Sequence, residues 1–326
     1  MNLPISGRIN ISDVDELSEA TQPWDLRISQ LQRGQFHAVR EFVRAGELIL
    51  YREHFSHRLL FNGTSPPGYV TFAICLSPQG STIISGQPLG MDRIASTVQS
   101  SELDFSIPGD SNNLVMLVPE SSIRSYLEDR FPEQAISTGS LRIDPSAGSQ
   151  ILQLFNRPFN HYFNSPELLE DTDEIDAFES QVLGVLNRCI TSLSDDDINF
   201  SGPRNWKTLL SAMEYLDATN KSVRIDQLAS AIDINQRSLE SLIKNLLGIT
   251  PKRFEVIRRL NNAHRDLCRA EPDSTESVTK IASRWGFSEL GRFAVEYRQL
   301  FGKKPSLTLK MPRAEPGIRL ADFFCR

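Results

Sequence analysis

The sequence predicts an α+β protein with a mostly-β N-terminal domain that carries a few helices and an all-helical C-terminal domain. Short apolar, β-branched runs separated by turn residues fill much of residues 30–120. From about residue 202 to 310 the apolar residues recur at helical spacing instead. Within this helical part, a short segment occurs twice, with the two copies about 53 residues apart. We therefore expect four parts: 1–165, β-rich; 166–201, a helical segment and linker; 202–310, all-α; 311–326, a tail.

Four runs of apolar residues predict strands in the first part: Leu48–Tyr51, Tyr69–Ile74, Ser81–Ile84 and Leu114–Val118. Turn residues such as Asn62-Gly63 and Pro108-Gly109 separate these runs. Short strands at this spacing are typical of an antiparallel sandwich or a cupin-like barrel. After Glu120 the spacing of apolar residues becomes helical.

A second helical stretch is predicted from about Pro166 to Ser192, with apolar residues three or four apart on one stripe. The stripe consists of Ile175, Phe178, Val182, Val185 and Cys189. Two interpretations stay open at this stage, a helix packed on its own domain and half of a homodimer seam. The acidic and Gly-Pro stretch from Ser194 to Pro203 predicts a linker between the domains.

Charge is divided unevenly along the chain. Residues 1–201 carry 13 Lys+Arg against 27 Asp+Glu, whereas residues 202–310 carry 19 against 12. Every lysine lies at Lys207 or later. A basic C-terminal domain on an acidic chain favours contact with nucleic acid there. We expect a cytoplasmic protein without a membrane span, because no long apolar run and no signal peptide is seen. The four distant cysteines predict neither disulfides nor a zinc knuckle.

Each copy of the repeat has the features of a helix-turn-helix unit. A small residue, Ala229 or Ala282, allows two helices to cross closely. A turn follows, and in the second copy Gly286 suits a left-handed backbone there. Asn235 and Ser288 are predicted N-caps of the next helix. The offset between copies grows from 53 to 54 residues, which places one extra residue in the second turn.

The residues of this region resemble the DNA-binding domain of the arabinose-operon regulator (AraC/XylS) family. The matching stretches are Leu228-Ala229, Gly248–Pro251, Arg258–Asn261, Ile281–Phe287, Leu290–Arg298, Phe301-Gly302 and Pro305-Ser306. The resemblance implies a DNA-binding transcription regulator, an activator by our expectation, that places reading helices 235–246 and 288–299 in successive major grooves of double-stranded DNA. It also implies RNA polymerase as a partner.

Mapped onto this family, the exposed residues of each reading helix are candidate base readers. They are Gln236, Arg237, Glu240, Ser241 and Lys244 in the first unit and Leu290, Gly291 and Arg292 in the second. Arginine is suited to guanine because it can donate two hydrogen bonds to its major-groove acceptors. Candidate contacts to the DNA backbone are Lys252, Arg253, Arg258, Arg259, Arg298, Lys303 and Lys304.

The N-terminal domain resembles, more loosely, the sensor domain of regulators of ethanolamine use, through Gln32–Phe36, Pro67-Gly68, Ser85–Leu89 and Glu102–Phe105. This resemblance implies a small β-sandwich or cupin-like barrel with helices that has a pocket for a small-molecule effector, a homodimer contact, or both. The alternative is a cupin-type metal enzyme fused to a DNA-binding domain. We expect no enzyme, metal or cofactor, because His54 and His57 on one strand would point to opposite faces.

Overall fold

The computed structural model describes residues 5–76, 82–89, 93–97, 102–123, 139–142, 152–153, 155–191, 198–199, 204–219, 221–271 and 275–311. The N-terminal domain contains two antiparallel sheets that face each other. The strands are β1 (Ser6–Ile11), β2 (Asp25–Gln30), β3 (Ala38–Ala45), β4 (Leu48–Phe55), β5 (Leu59–Thr64), β6 (Tyr69–Cys75), β7 (Thr82–Ile84), β8 (Gln87–Leu89), β9 (Arg93–Thr97), β10 (Glu102–Ile107), β11 (Ser111–Pro119), β12 (Gly139–Arg142) and β13 (Ile198–Asn199).

The larger sheet has the order β1-β3-β4-β11-β6-β9-β12-β13, and the smaller has the order β2-β5-β10-β7-β8. The α+β class and the β-sandwich in the N-terminal domain are thus confirmed. All four predicted strand runs lie in strands, whereas β1 and β2 were not predicted. Strand β13 lies inside the predicted linker, where it pairs with β12.

Residues 120–123 and 152–153 are helical, and ten further α-helices have both ends within the described residues. They are α1 (Val14–Ala20), α2 (Asn160–Asn164), α3 (Thr172–Thr191), α4 (Arg204–Asp217), α5 (Ile225–Ala231), α6 (Gln236–Leu247), α7 (Pro251–Arg269), α8 (Val278–Arg284), α9 (Leu290–Phe301) and α10 (Pro305–Lys310). The last seven form the C-terminal domain, in which α7 links the two halves. Its centre is apolar and includes the fully buried Leu260, Phe293 and Tyr297. Residues 312–326 of the predicted tail lie outside the described residues.

Helix α3 covers the outer face of the larger sheet. Phe178, Val182 and Val185 are buried there in one apolar cluster with residues such as Leu50 and Phe72 of that sheet, and Ile175 packs against the cluster. Phe178, Val182 and Val185 are thus covered within one chain, which favours a helix packed on its own domain over the homodimer seam, while Ile175 stays partly exposed. The side chain of Cys189 lies outside the described residues.

The two domains meet at the open edge of β2. The Asn261 side chain on α7 accepts a hydrogen bond from the Gln30 backbone N–H (2.9 Å) and donates one to the Gln30 carbonyl (3.0 Å). The amide thus pairs with the strand as a neighbouring strand would, which satisfies backbone groups that an edge strand leaves open. Asn261 is buried as a result.

Further contacts join the N-terminal domain to the C-terminal ends of two helices. Arg58 donates to the carbonyl of Leu247 at the end of α6 (2.9 Å). Gly34 donates its N–H toward the carbonyls of Gln299 and Leu300 near the end of α9. These contacts lie at the C-terminal ends of both helices, so the N-terminal ends lie away from them. Among the described helices, none is long and apolar enough to cross a membrane.

Candidate nucleic-acid interface and ligand cavity

The two helix-turn-helix units repeat the same backbone hydrogen bonds. In the first, the N–H of Ile234 donates to the carbonyl of Ala229 (3.0 Å), and in the second, Phe287 donates to Ala282 (3.0 Å). The left-handed residue of the turn is Asp233 (φ 55°) in one unit and Gly286 (φ 73°) in the other. The small-residue crossing predicted from the sequence is therefore present twice.

The reading helices themselves, α6 and α9, also end alike. Gly248 (φ 71°) and Gly302 (φ 73°) both adopt left-handed conformations, and each donates its N–H to the residue four positions back, at 2.9 Å. The offset of 53 residues between α5 and α8 becomes 54 between α6 and α9. The extra residue therefore lies in the second turn, as the sequence predicts.

The helix starts differ. Asn235 caps α6 by accepting from the N–H of Ser238 (2.8 Å), as predicted. The prediction that Ser288 caps α9 is wrong, because the N-cap is Glu289 and its side chain makes no capping hydrogen bond. The additional turn residue shifts the start of the helix by this one position.

Side chains from both reading helices line one open cleft. Gln236 at the start of α6 and Arg292 in the first turn of α9 border it, together with Lys252 and Glu296. The N-terminal turns of the two helices therefore open on the same side of the domain. A helix-turn-helix unit reads a major groove with the N-terminal residues of its second helix, and such residues border the cleft in both units.

All eight candidate base readers lie at the surface: Gln236, Arg237, Glu240, Ser241, Lys244, Leu290, Gly291 and Arg292. Gln236 donates to Glu240 (2.9 Å), and Arg292 donates through Nε to Glu296 (3.0 Å). Leu290 is 40% exposed, which is unusual for a leucine and suits contact with a thymine methyl group.

The candidate backbone contacts divide into three groups. Lys252, Arg298 and Lys304 are exposed and available to phosphate. Arg253 and Lys303 are half-buried and lie near carboxylates, Arg253 at 3.7 Å from Glu296 and Lys303 at 2.5 Å from Asp13.

Arg258 and Arg259 form the third group, and the structure corrects their predicted role. Both are buried. Arg258 donates to the carbonyl of Thr219 (3.0 Å), while Arg259 forms an ion pair with Glu255 (2.6 Å) and donates to the carbonyl of Gly286 (3.1 Å). Because their guanidinium groups are used internally, they hold the linker helix to its neighbours rather than DNA.

A cavity lies between the two sheets of the N-terminal domain. The space open to the centre of a water-sized sphere is about 70 Å³. Since one water needs roughly 10–15 Å³ on this measure, the cavity has room for a small molecule. Most of its walls are apolar, with aromatic rings from Trp24, Tyr51, Phe61 and Phe105.

Several polar groups of the cavity wall lack protein partners. The hydroxyls of Thr71, Thr82 and Thr97 and the amide nitrogen of Asn113 are buried without a hydrogen bond in the described part of the chain. Thr71 and Thr97 lie opposite each other on β6 and β9. Buried polar groups normally find partners, so these groups are available to form hydrogen bonds with a molecule inside the cavity.

The charged groups of the same wall, by contrast, are paired. Arg40 donates to Glu53 through two nitrogens (2.8 and 3.1 Å), and both side chains are almost fully buried. Burial raises the pKa of Glu53, and the Arg40 guanidinium opposes this shift. No unpaired charge is therefore available in the described wall for an ionised ligand.

The histidines weighed as metal ligands do not converge. The imidazole of His57 lies near the hydroxyl of Ser56 (2.8 Å) and the carbonyl of Arg33 (3.1 Å), whereas His54 lies 3.8 Å from Asp110. Burial lowers the pKa of His57. These two histidines therefore do not support the alternative of a cupin-type metal enzyme.

The duplicated units and their shared open cleft define the class of fold, a helical domain with two helix-turn-helix units. Residues 228–311 match the family model described as a helix-turn-helix domain. The probable thc operon regulatory protein of Rhodococcus erythropolis is 45% identical over 100 residues, 30% of each chain. The XylDLEGF operon transcriptional activator of Pseudomonas putida is 35% identical over 96 residues, 29% of each chain.

The chain thus matches less than a third of the length of these relatives. The solved AraC-like transcriptional activator CuxR is similar over 78% of this chain and 93% of that chain, with 12% identity and a TM-score of 0.44. By sequence, the C-terminal domain of this chain is similar to regulators of the AraC/XylS type.

Proposed function

We propose that this protein is a sequence-specific transcription regulator, an activator, that reads two successive major grooves with α6 and α9. The observation that carries the proposal is the common cleft bordered by Gln236 and Arg292, with the readers of both helices exposed. The relatives of the DNA-binding domain include a transcriptional activator, which supports activation rather than repression. RNA polymerase is the expected partner of an activator of this kind.

We also propose that the N-terminal domain binds a small, uncharged effector in the cavity between its sheets. The unpartnered hydroxyls of Thr71, Thr82 and Thr97 would bond to hydroxyl or carbonyl groups of that molecule. The Arg40–Glu53 pair is neutral as a unit. An amine such as ethanolamine, which is a cation at neutral pH, would find no free counter-charge there, and burying it unpaired is costly.

Genome-wide footprinting of the bound protein tests the regulatory function. Enrichment at a few promoters that share one asymmetric motif is expected, and even coverage that follows only DNA abundance would contradict specific binding.

A thermal-shift screen tests the effector. Small neutral alcohols, amides and ketones should raise the melting temperature more than amines or acids of equal size. A larger shift with the ions would contradict the assigned chemistry.

A further inference from the structure

Three side chains that can ligate a metal converge at the boundary between the domains. Asp13 comes from the N-terminal domain, where it caps α1, and His264 and Cys268 lie one turn apart on the linker helix α7. The His264 Nε2 atom is 2.8 Å from Asp13 Oδ1 and 3.4 Å from Cys268 Sγ. Their ligand atoms all lie within 4.8 Å of one another.

We propose that Asp13, His264 and Cys268 form a zinc site that joins the N-terminal domain to the linker helix. One nitrogen, one sulfur and one oxygen form a donor set that Zn²⁺ accepts, with a fourth position left to water. Hard ions such as Mg²⁺ and Ca²⁺ prefer oxygen ligands alone, so this set does not suit them. The site does not depend on the DNA-binding function proposed above.

The histidine is oriented in the way that metal ligands usually are. Its Nδ1 atom lies 2.5 Å from the hydroxyl of Tyr297, which in turn bonds to Thr308 (2.9 Å). The ring also stacks on Phe301, with centroids 4.2 Å apart. These contacts fix the ring and leave Nε2 directed at Asp13 and Cys268, as supporting hydrogen bonds do around bound metals.

The distances come close to those of a tetrahedral ion. With usual bond lengths, zinc would separate its nitrogen and sulfur ligands by roughly 3.6 Å and its nitrogen and oxygen ligands by roughly 3.3 Å. The sulfur distance of 3.4 Å is close to this value, and Asp13 Oδ1 at 2.8 Å must move back by about half an ångström. Since Asp13 and Cys268 are only partly buried, the site is open to an incoming ion.

Lys303 is the competitor for this site. Its ammonium lies 2.5 Å from Asp13 Oδ2, whereas the proposed ligand atom Oδ1 faces His264 and also accepts from the backbone N–H of Asp15 at 2.8 Å. Without a metal, the Asp13 carboxylate would join the two domains through its contacts with His264 and Lys303. If the site binds a metal, removal of Lys303 should strengthen metal binding. If Asp13 only joins the domains, removal of Lys303 should only weaken that contact.

Cobalt titration of the full chain, stripped with a chelator and kept reduced without thiols, tests the proposal. One equivalent of Co²⁺ should bind with a thiolate charge-transfer band, and Zn²⁺ should displace it. Cys268→Ser should lose the band and weaken binding more than about 100-fold, since loss of a supporting residue alone costs 10–100-fold. Cys75→Ala is the control, because it removes a buried thiol of β6 that is distant from the site in sequence. This variant should keep both the charge-transfer band and the affinity for Co²⁺.

Lys303→Met removes the competing ammonium and should bind Co²⁺ more tightly than the parent chain. Absence of saturable Co²⁺ binding would overturn the proposal. So would a charge-transfer band that persists in Cys268→Ser, or weaker binding by Lys303→Met. Thermal unfolding of each variant without metal checks that the chain is folded.

Discussion

Arginines of the C-terminal domain differ in what their guanidinium groups contact. Arg292 is exposed and held only by Glu296 on its own helix, while Arg259 is buried on Glu255 and the carbonyl of Gly286. Both positions were predicted to touch DNA. The sequence could not separate them, because an arginine that stabilises a turn of its own domain has the same local pattern as one that contacts phosphate.

Arg292→Ala should remove about 1–3 kcal/mol of discrimination at one base pair, because a bidentate contact to guanine is lost. Binding should be measured on a matched operator and on a scrambled duplex. Lys252→Ala is the control, because its exposed ammonium is a proposed phosphate contact, and its loss should weaken binding to both duplexes alike. Equal losses on both duplexes for Arg292→Ala would contradict its role as a base reader.

The cavity threonines allow a second test at this scale. Thr71→Val replaces a buried, unpartnered hydroxyl by a methyl group of similar size. The free energy of unfolding without effector should rise by about 1 kcal/mol, because an unsatisfied polar group costs about that or more. Stabilisation by the effector should fall. Urea unfolding measures both, and a less stable variant would show that the hydroxyl is already satisfied.

At the scale of helices and strands, the sequence predicts the parts that repeat and misses the parts that depend on distant partners. The repeat was found because Ala229 and Ala282 match near its start, and Gly248 and Gly302 match near its end. The cap at Ser288 was wrong because a single extra turn residue moves the helix start. The apolar stripe of α3 showed a buried face, but not whether its own sheet or a second chain covers it.

Gly286→Ala should lower the free energy of unfolding by about 1–2 kcal/mol, because a residue with a Cβ atom is strained in the left-handed region. The added Cβ would also lie 3.0 Å from the Ser222 nitrogen. Asp233→Asn, at the equivalent turn of the first unit, is the matched control and should change stability little, since asparagine tolerates this conformation. Equal losses in urea unfolding would contradict the assigned strain.

For the whole molecule, the interface between the domains is the feature that the sequence did not reveal. Asn261 pairs with Gln30, and His264 with Asp13, across more than 200 residues of chain. The only sequence signal was a polar run on the linker helix, Asn261, Asn262 and His264, which an isolated helix would expose to water. Polar residues on such a face can equally be surface residues, so the partner had to come from the structure.

Asn261→Ala should lower the free energy of unfolding by about 2–4 kcal/mol, because it leaves the buried N–H and carbonyl of Gln30 without partners. The amide proton of Gln30 should also exchange faster with solvent. Asn245→Ala removes an exposed amide of α6 and serves as the control. Slow exchange at Gln30 in the Asn261 variant would show that another group pairs with this strand edge.

The central claim is that both reading helices bind one duplex from one side. Methylation interference on a site recovered by footprinting tests it most directly, with the full chain as probe. We expect two clusters of sensitive major-groove positions about 10 base pairs apart on one face of the duplex. Arg292→Ala should abolish sensitivity in one cluster and leave the other. A single cluster, or two clusters that both persist in Arg292→Ala, would contradict the account.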